Sequence, residues 1–549
     1  MSIRGTVGRP SVEDSLVRPL HFAPARLRMR EPPHPRTPDH HPMPDTTTHS
    51  IWHDTFTVPD RASLRDHLTT DVCVIGAGIA GLSVAYALTR AGKRVVVVEK
   101  EQIGSGESGR TTGHLANALD DRFLNLEKAR GVGSSRHAAG PHSAAIDFIE
   151  EAVRTERIDC DFTRLDGFLF LGAGDEPKLL DEELEAAHRA GLTDVTRVEQ
   201  IPGRGKTLGP ALRFPRQGRF HVLKYLAGLA RAIESRGGQI FGGSRVEKIE
   251  GGSPAMVTTT SGKTVAADDV VVCTNGPISD MVVTHTKMAP YRTFVVTFEV
   301  PKGSVADALY WDTLDPYHYV RLQPLDDARD ALIVGGEDHK TAHEDDGGER
   351  FANLEKWTRE RFASAGARIA QWSGQVLETY DYLAFIGKNP DGAEHVWLAT
   401  GDSGMGMTHG TIAGLLLPTL LEGKPHEWAK EFDPKRVTLH PRELGTLAKE
   451  TLDVALQFGD YLTPGQVADV ASIPAGEGRV IRRGAHKIAV YKDDAGRVHE
   501  RSAACTHVKC IVDWNTAEKS WDCPCHGSRF DPYGKVLNGP AIDDLHPSP

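Results

Sequence analysis

The chain has 549 residues, enough for two or three domains with cores of their own. Its formal net charge is -11 and its pI about 6.1, so there is no bulk electrostatic case for nucleic-acid binding. Its longest apolar runs, around 95–98 and 270–272, are strand-sized and exclude a transmembrane segment on hydropathy grounds.

Residues 1–50 are rich in proline, histidine and arginine and show little apolar periodicity. Such a segment buries too little surface to offset its ordering entropy. It also lacks the apolar region of a signal peptide. The expectation is a disordered extension or an over-long start, with Met43 as the natural beginning and a cytoplasmic location.

The first ordered element is Asp71-Val72-Cys73-Val74-Ile75-Gly76-Ala77-Gly78-Ile79-Ala80-Gly81, followed by an apolar run from Arg94 to Glu99. It reads as a buried parallel strand, a tight turn, a helix to about Arg90, and a second strand ending in an acid. Gly76 permits the turn, Gly78 lets backbone approach a pyrophosphate, and Gly81 lets the helix pack on the sheet. The helix N-terminus offers N–H groups to phosphate, and Glu99 is placed to accept hydrogen bonds from a ribose.

The loop 104–115 is crowded with glycine and small hydroxyl residues, including Ser108, Arg110, Thr111, Thr112 and His114. That composition suits a second contact with the dinucleotide, with room for the ribityl and ring portions of a flavin. Helices fill much of 140–200 around a short strand at 167–171. A helix follows over 222–237, strand pattern resumes through 239–260, and the buried strand 268–273 ends at Thr274-Asn275-Gly276. The carboxyl end of a parallel strand is where such sheets place ligands.

Alternation suggests antiparallel strands at 292–300, 317–322 and 331–335. In Tyr317-His318-Tyr319-Val320-Arg321, alternate residues share a face, so Tyr317, Tyr319 and Arg321 can wall a substrate cavity with rings and a cation. With His114 they are the candidate catalytic residues. Ordinary sheet packing with a snorkelling arginine is the competing reading. The acidic stretch 344–349 is expected to be a solvated loop before a helix over 350–362. The Gly-rich turn 401–410 lies between a strand at 396–400 and an apolar helix at 411–420. Backbone N–H groups around Gly404, Gly406, Met407 and Thr408 can meet a flavin's pyrimidine edge.

Together these pieces resemble the D-amino-acid-oxidase-like superfamily of FAD-dependent oxidoreductases. The resemblance implies an α/β FAD-binding domain, Rossmann-like and of the glutathione-reductase type, built from 68–150, 210–285 and 375–435. It also implies an inserted antiparallel α+β substrate domain at 151–209 and 286–374. The implied reaction is oxidation of a C–N bond in a small-molecule amine or amino-acid-like substrate by hydride transfer to FAD. Val246, Asn275 and Gly276 join the implied cofactor contacts. No cysteine follows the 401–410 turn where some members attach their flavin, so non-covalent FAD is expected, with His114 left open as an attachment point.

Residues 436–466 read as a helical connector, with apolar residues at helical spacing from Leu447 to Phe458. A packed connector would hold the last domain against the flavin domain. Beyond it, short strands at 479–481, 487–491 and 498–500 suggest a small all-β domain over 467–549. Its loops read Cys505-Thr506-His507-Val508-Lys509-Cys510 and Cys523-Pro524-Cys525-His526-Gly527-Ser528. Two cysteines and two histidines are also a legitimate zinc set. The Cys-x-His and Cys-x-x-His spacing fits a Rieske [2Fe–2S] centre better.

The loops resemble the Rieske proteins of cytochrome bc complexes. The resemblance makes Cys505, His507, Cys523 and His526 the cluster ligands, pairs Cys510 with Cys525 in a disulfide, and gives Ser528 a hydrogen bond to cluster sulfur. Phe530 stands where the respiratory proteins donate from a tyrosine, which implies a lower potential. The functional expectation is a flavoenzyme that sends electrons through its own cluster to an external one-electron acceptor. The alternatives are reverse flow, in a reductase or monooxygenase fed through the cluster by an external donor, and a non-catalytic electron-transfer or redox-sensing module.

Overall fold

The computed structural model describes residues 48–201, 208–278, 282–437, 457–461, 463–467 and 469–548. Most of the N-terminal extension and the stretch 438–456 of the expected connector lie outside the described residues. Residues 48–50, read from sequence as part of the extension, belong to the fold. Thr48 and Ser50 are buried, and Ser50 Oγ donates to the Gly109 carbonyl at 2.6 Å. They lead into a short helix, Ile51–Thr55, whose Trp52 is fully buried.

The central sheet has the strand order Phe385–Lys388, Val396–Thr400, Thr264–Val272, Leu68–Ile75, Val95–Val98, Gln239–Phe241, with two short antiparallel strands appended. The four valines of Val95–Val98 are all buried, as expected of a parallel strand covered on both faces. Helices Ile79–Arg90 and Gly406–Leu421 cross closely because Gly410 and Gly414 put backbone against Ala80 and Ser83.

A second, mainly antiparallel sheet of nine strands carries the candidate substrate residues. Its members correct two expected domain boundaries. Ala211–Arg219, counted with the FAD segments, pairs along its length with Thr163–Phe170. Arg368–Thr379, split by the boundary at 375, is one strand in register with Met288–Pro301. Both segments therefore belong to the second sheet and not to the central one. The strand expected to end at Gly335 continues to Lys340.

The C-terminal domain consists of a three-stranded and a four-stranded antiparallel sheet around a core that includes Trp514, Trp521 and Phe530. It is docked on the flavin-type part by polar contacts. Asp345 accepts from the backbone and hydroxyl of Thr516 at 2.8 and 2.7 Å. The acidic stretch 344–349 is the exposed loop expected at Glu344 and Asp345, with Asp345 reaching across to Thr516, and its last residues begin the helix Gly347–Arg361. Deeper in, fully buried Glu518 accepts from Ser373 N (3.1 Å), Ser373 Oγ (2.6 Å) and Arg110 Nη1 (3.0 Å), with Arg292 and Arg529 at 3.8 and 3.6 Å. No described helix is long and apolar enough to cross a membrane.

Candidate functional site

The turn after the first strand has the backbone that its glycines imply. Gly76 sits at φ +103°, where an added Cβ would strike the Cys273 carbonyl, and Gly81 packs with no room for a side chain against Gly76. Gly81 is thus a packing residue and does not itself line the cavity. Glu99 Oε2 accepts from Ala77 N at 2.7 Å and Oε1 from Glu101 N at 3.1 Å. Burial pushes its carboxyl above the ordinary range. Ser108 Oγ accepts from Ile79 N at 3.0 Å, anchoring the small-residue loop on the helix N-terminus.

A cavity of about 540 Å³ opens from this turn and runs between the two sheets. The expected cofactor residues Gly76, Gly78, Glu99, Ser108, Arg110, Thr111, Thr112, Val246, Asn275, Gly276, Gly404, Gly406 and Met407 all line it. The continuous glycine-built floor, the helix N-terminus and the buried acid suit an elongated dinucleotide, and FAD fits this set of donors. Thr408 is a correction: its hydroxyl bonds His142 Nδ1 at 2.7 Å, and it does not line the cavity. The helix geometry turns it inward, while His409 lines the cavity.

At the other end stand Tyr317, Tyr319, Trp311 and His114. The two tyrosine rings lie 5.2 Å apart, and Tyr319 OH is 2.6 Å from Thr293 Oγ1. Burial, followed by the Asp120 and Asp338 carboxylates, pushes Tyr317 well above its usual range. Both nitrogens of His114 are engaged, Nδ1 by Thr112 Oγ1 at 3.0 Å and Nε2 by the Val320 carbonyl at 3.3 Å. Burial, then Arg321, lowers its pKa to about 3. The ring is therefore neutral at pH 7.

Arg321 is the second correction. It shares a strand face with Tyr319 but lies outside the cavity, fully buried, with Nη1 donating to the Gly113 and Phe220 carbonyls at 2.7 and 3.0 Å. Alternation gave its face correctly; the carbonyls beneath that face claimed the guanidinium. The charged groups at the tyrosine end are instead Asp120, Asp338 and Glu378, and carboxylate oxygens of Asp120 and Glu378 lie within 4.8 Å of each other. The cations that line the cavity, Lys100, Arg110, Arg245 and Arg529, bond the Leu537 carbonyl, Glu518, Asp544 and Asp522 respectively.

The cysteine and histidine loops of the C-terminal domain also converge. Cys510 and Cys525 form a disulfide. Cys505 and Cys523 are buried free thiols in hydrogen-bond contact; that contact, with help from His507 N and Ser528, holds Cys505 below its ordinary value despite burial. The rings of His507 and His526 stand 5.0 Å apart. His526 Nδ1 is buried with no hydrogen-bond partner, as a nitrogen awaiting a metal would be. Burial, then His507, lowers its pKa to about 3, leaving a neutral imidazole ready to ligate. Two thiols and two such imidazoles fit a [2Fe–2S] cluster of mixed ligation. Ser528 Oγ accepts from Ala541 N at 3.0 Å and reaches Cys505.

Three residues missed in the sequence stand beside the cluster loops or between them and the cavity. His285 packs edge-on against both His507 and His526, with centroids at 5.0 and 5.7 Å. Gln375 lines the flavin cavity while its Nε2 donates at 3.0 Å to the carbonyl of Gly527, next in chain to His526. Gly527 has φ +73°, and a Cβ there would meet Gln375 and Pro290 at 2.5 and 2.6 Å. Glu518 is the third. None carries a local signal, because the contacts His285–His507, Gln375–Gly527 and Glu518–Ser373 each span more than a hundred residues.

The FAD dependent oxidoreductase family model matches residues 71–418 and the Rieske [2Fe-2S] domain model residues 463–549. YhfW of Bacillus subtilis, whose name describes a Rieske 2Fe-2S iron-sulfur protein, is 29% identical over 90% of this chain and 96% of its own. Gamma-glutamylputrescine oxidoreductase of Escherichia coli is 31% identical over 68% of this chain and 87% of its own. In fold, glycine oxidase from Geobacillus kaustophilus superposes with a TM-score of 0.54 at 21% identity, covering 67% of this chain and 99% of that one.

Proposed function

The chain belongs to the FAD-dependent oxidoreductase family and carries a Rieske [2Fe–2S] domain, and from that premise we propose that it oxidises a C–N bond of a cationic amine and sends the electrons through its own cluster. FAD, when bound, supplies the two-electron hydride acceptor. The chain's residues supply recognition and the route out. Three carboxylates and a tilted pair of tyrosine rings suit an ammonium group by charge and by the ring faces, and Arg321 is turned away from that end of the cavity. The relative named for gamma-glutamylputrescine supports the amine half of this reading. The amine loses two electrons and two protons to become an imine, which water hydrolyses. Cys505, His507, Cys523 and His526 would hold the cluster, which would supply one-electron transfer to an external one-electron acceptor, twice per amine. Engagement of both His114 nitrogens favours FAD held without a covalent bond.

The observation that carries the internal route is the single side chain, Gln375, between the cavity wall and Gly527–His526. Anaerobic stopped-flow mixing with diamines, monoamines and amino acids tests it. Amines should bleach the flavin band and then raise the reduced Rieske EPR signal at a rate independent of protein concentration. Flavin that no C–N donor reduces would remove the reaction class. A flavin-to-cluster rate proportional to protein concentration would remove the internal route. Asp120→Asn should raise the KM for amines about tenfold, a loss of about 1.4 kcal/mol in binding; an unchanged KM would take the carboxylate out of recognition.

A further inference from the structure

The C-terminal domain does more than receive electrons at a distance, because part of it forms the cavity. The loop that follows Val536 lies with one side on the cluster loops and the other on the cavity's Glu99 end. On the cluster side, Ala541 N donates to Ser528 Oγ at 3.0 Å. On the cavity side, Leu537, Asn538, Gly539 and Ile542 share lining with Glu99 and Val246. Lys100 Nζ donates to the Leu537 carbonyl and Asn538 Nδ2 to Glu107 Oε1. Arg245 clamps the loop twice, through Asp544 Oδ1 at 2.9 Å and the Ile542 carbonyl. The backbones of Gly539 and Gly276 are neighbours: a Cβ on Gly539 would be in van der Waals contact with the Gly276 carbonyl at 3.4 Å.

We propose that this loop is one wall of the FAD site, so that the docked Rieske domain retains the dinucleotide. The flavin-type domain contributes Lys100, Glu107 and Arg245 to hold the wall, and these residues flank the turn and the acid that receive the dinucleotide. Binding of FAD and docking of the Rieske domain are then one linked equilibrium. Each must strengthen the other by the same factor, since coupling free energy is reciprocal. Ser528 ties the same loop to the cluster, so the wall is set in place only where the cluster loops are folded.

Two measurements on the full-length chain test this. Asn538→Ala and Gly539→Leu leave every cluster ligand in place. Each should raise the dissociation constant for FAD, measured by adding FAD to the stripped chain, at least tenfold, with the Rieske EPR spectrum unchanged. Constants within twofold of the unmodified chain for both variants would overturn the proposal. Hydrogen–deuterium exchange on the unmodified chain decides the matter even if a variant fails to assemble its cluster. Added FAD should slow exchange at 536–542 at least fivefold, and equal exchange with and without FAD would overturn the linkage. Neither readout depends on which amine, if any, the enzyme oxidises.

Discussion

Replacing Glu518 with glutamine tests whether the two domains are fixed to one another. The carboxylate is fully buried at the interface, with Arg110, Arg292 and Arg529 within 3.0 to 3.8 Å. Neutralising it leaves three guanidinium groups around an amide, the situation of a buried pair with one partner removed, which costs about 3–5 kcal/mol. Burial alone would raise this carboxyl, but Arg110, then Arg292 and Arg529, hold it far below its unfolded value of 4.5. A depressed folded pKa means that the stabilisation is complete above about pH 4.5 and is lost as pH falls below it. The gap between the two proteins should therefore be widest near pH 7 and shrink under acid, where the native side chain is also neutral. Urea unfolding of the C-terminal domain, followed by visible circular dichroism of the cluster, measures that gap at each pH. A difference below about 1 kcal/mol at pH 7 would show that the network is solvated in solution and that the docked geometry is not maintained by it.

Gly78→Val should strip the protein of FAD, since a Cβ at Gly78 already stands 2.8 Å from Ser108 Oγ and a branched side chain fills the cradle; absorbance at full flavin content after gel filtration would contradict it. Asp402→Asn should stabilise the FAD-free chain above pH 6. Burial raises this carboxyl to about 6, so the stability of its neutral form is full below 3.8 and lost as pH rises through 6; on the order of 2–3 kcal/mol is at stake, and parallel denaturation profiles for the two proteins would refute the assignment. His526→Cys should lower the cluster potential, because a thiolate replaces a neutral donor on the reducible iron; unchanged potential and g-values in protein-film voltammetry and EPR would take His526 off the ligand set.

What could be read in advance from the sequence was chemistry that demands neighbours along the chain. Gly76 and Gly78 sit within one turn because a phosphate cradle is a backbone shape, and Cys505 with His507 sits within one loop, as a pair of metal ligands would. What could not be read was chemistry assembled across the fold. Gln375 and Gly527 meet only because a substrate-sheet strand runs past a cluster loop, and Glu518 finds Ser373 across 145 residues. Arg321 shows why a correct pattern can still mislead. Alternation places a side chain on a face, but whether that face opens into a cavity depends on the backbone packed below it, here Gly113 and Phe220. Asp120, Asp338 and Glu378, which share no motif, take over the charge at that end of the cavity. A site whose recognition groups come from three separate segments can change its substrate while the cofactor motifs stay fixed. That separation is why the FAD and cluster motifs were plain from sequence, while the proposal of a cationic amine rests on groups that only the fold brings together.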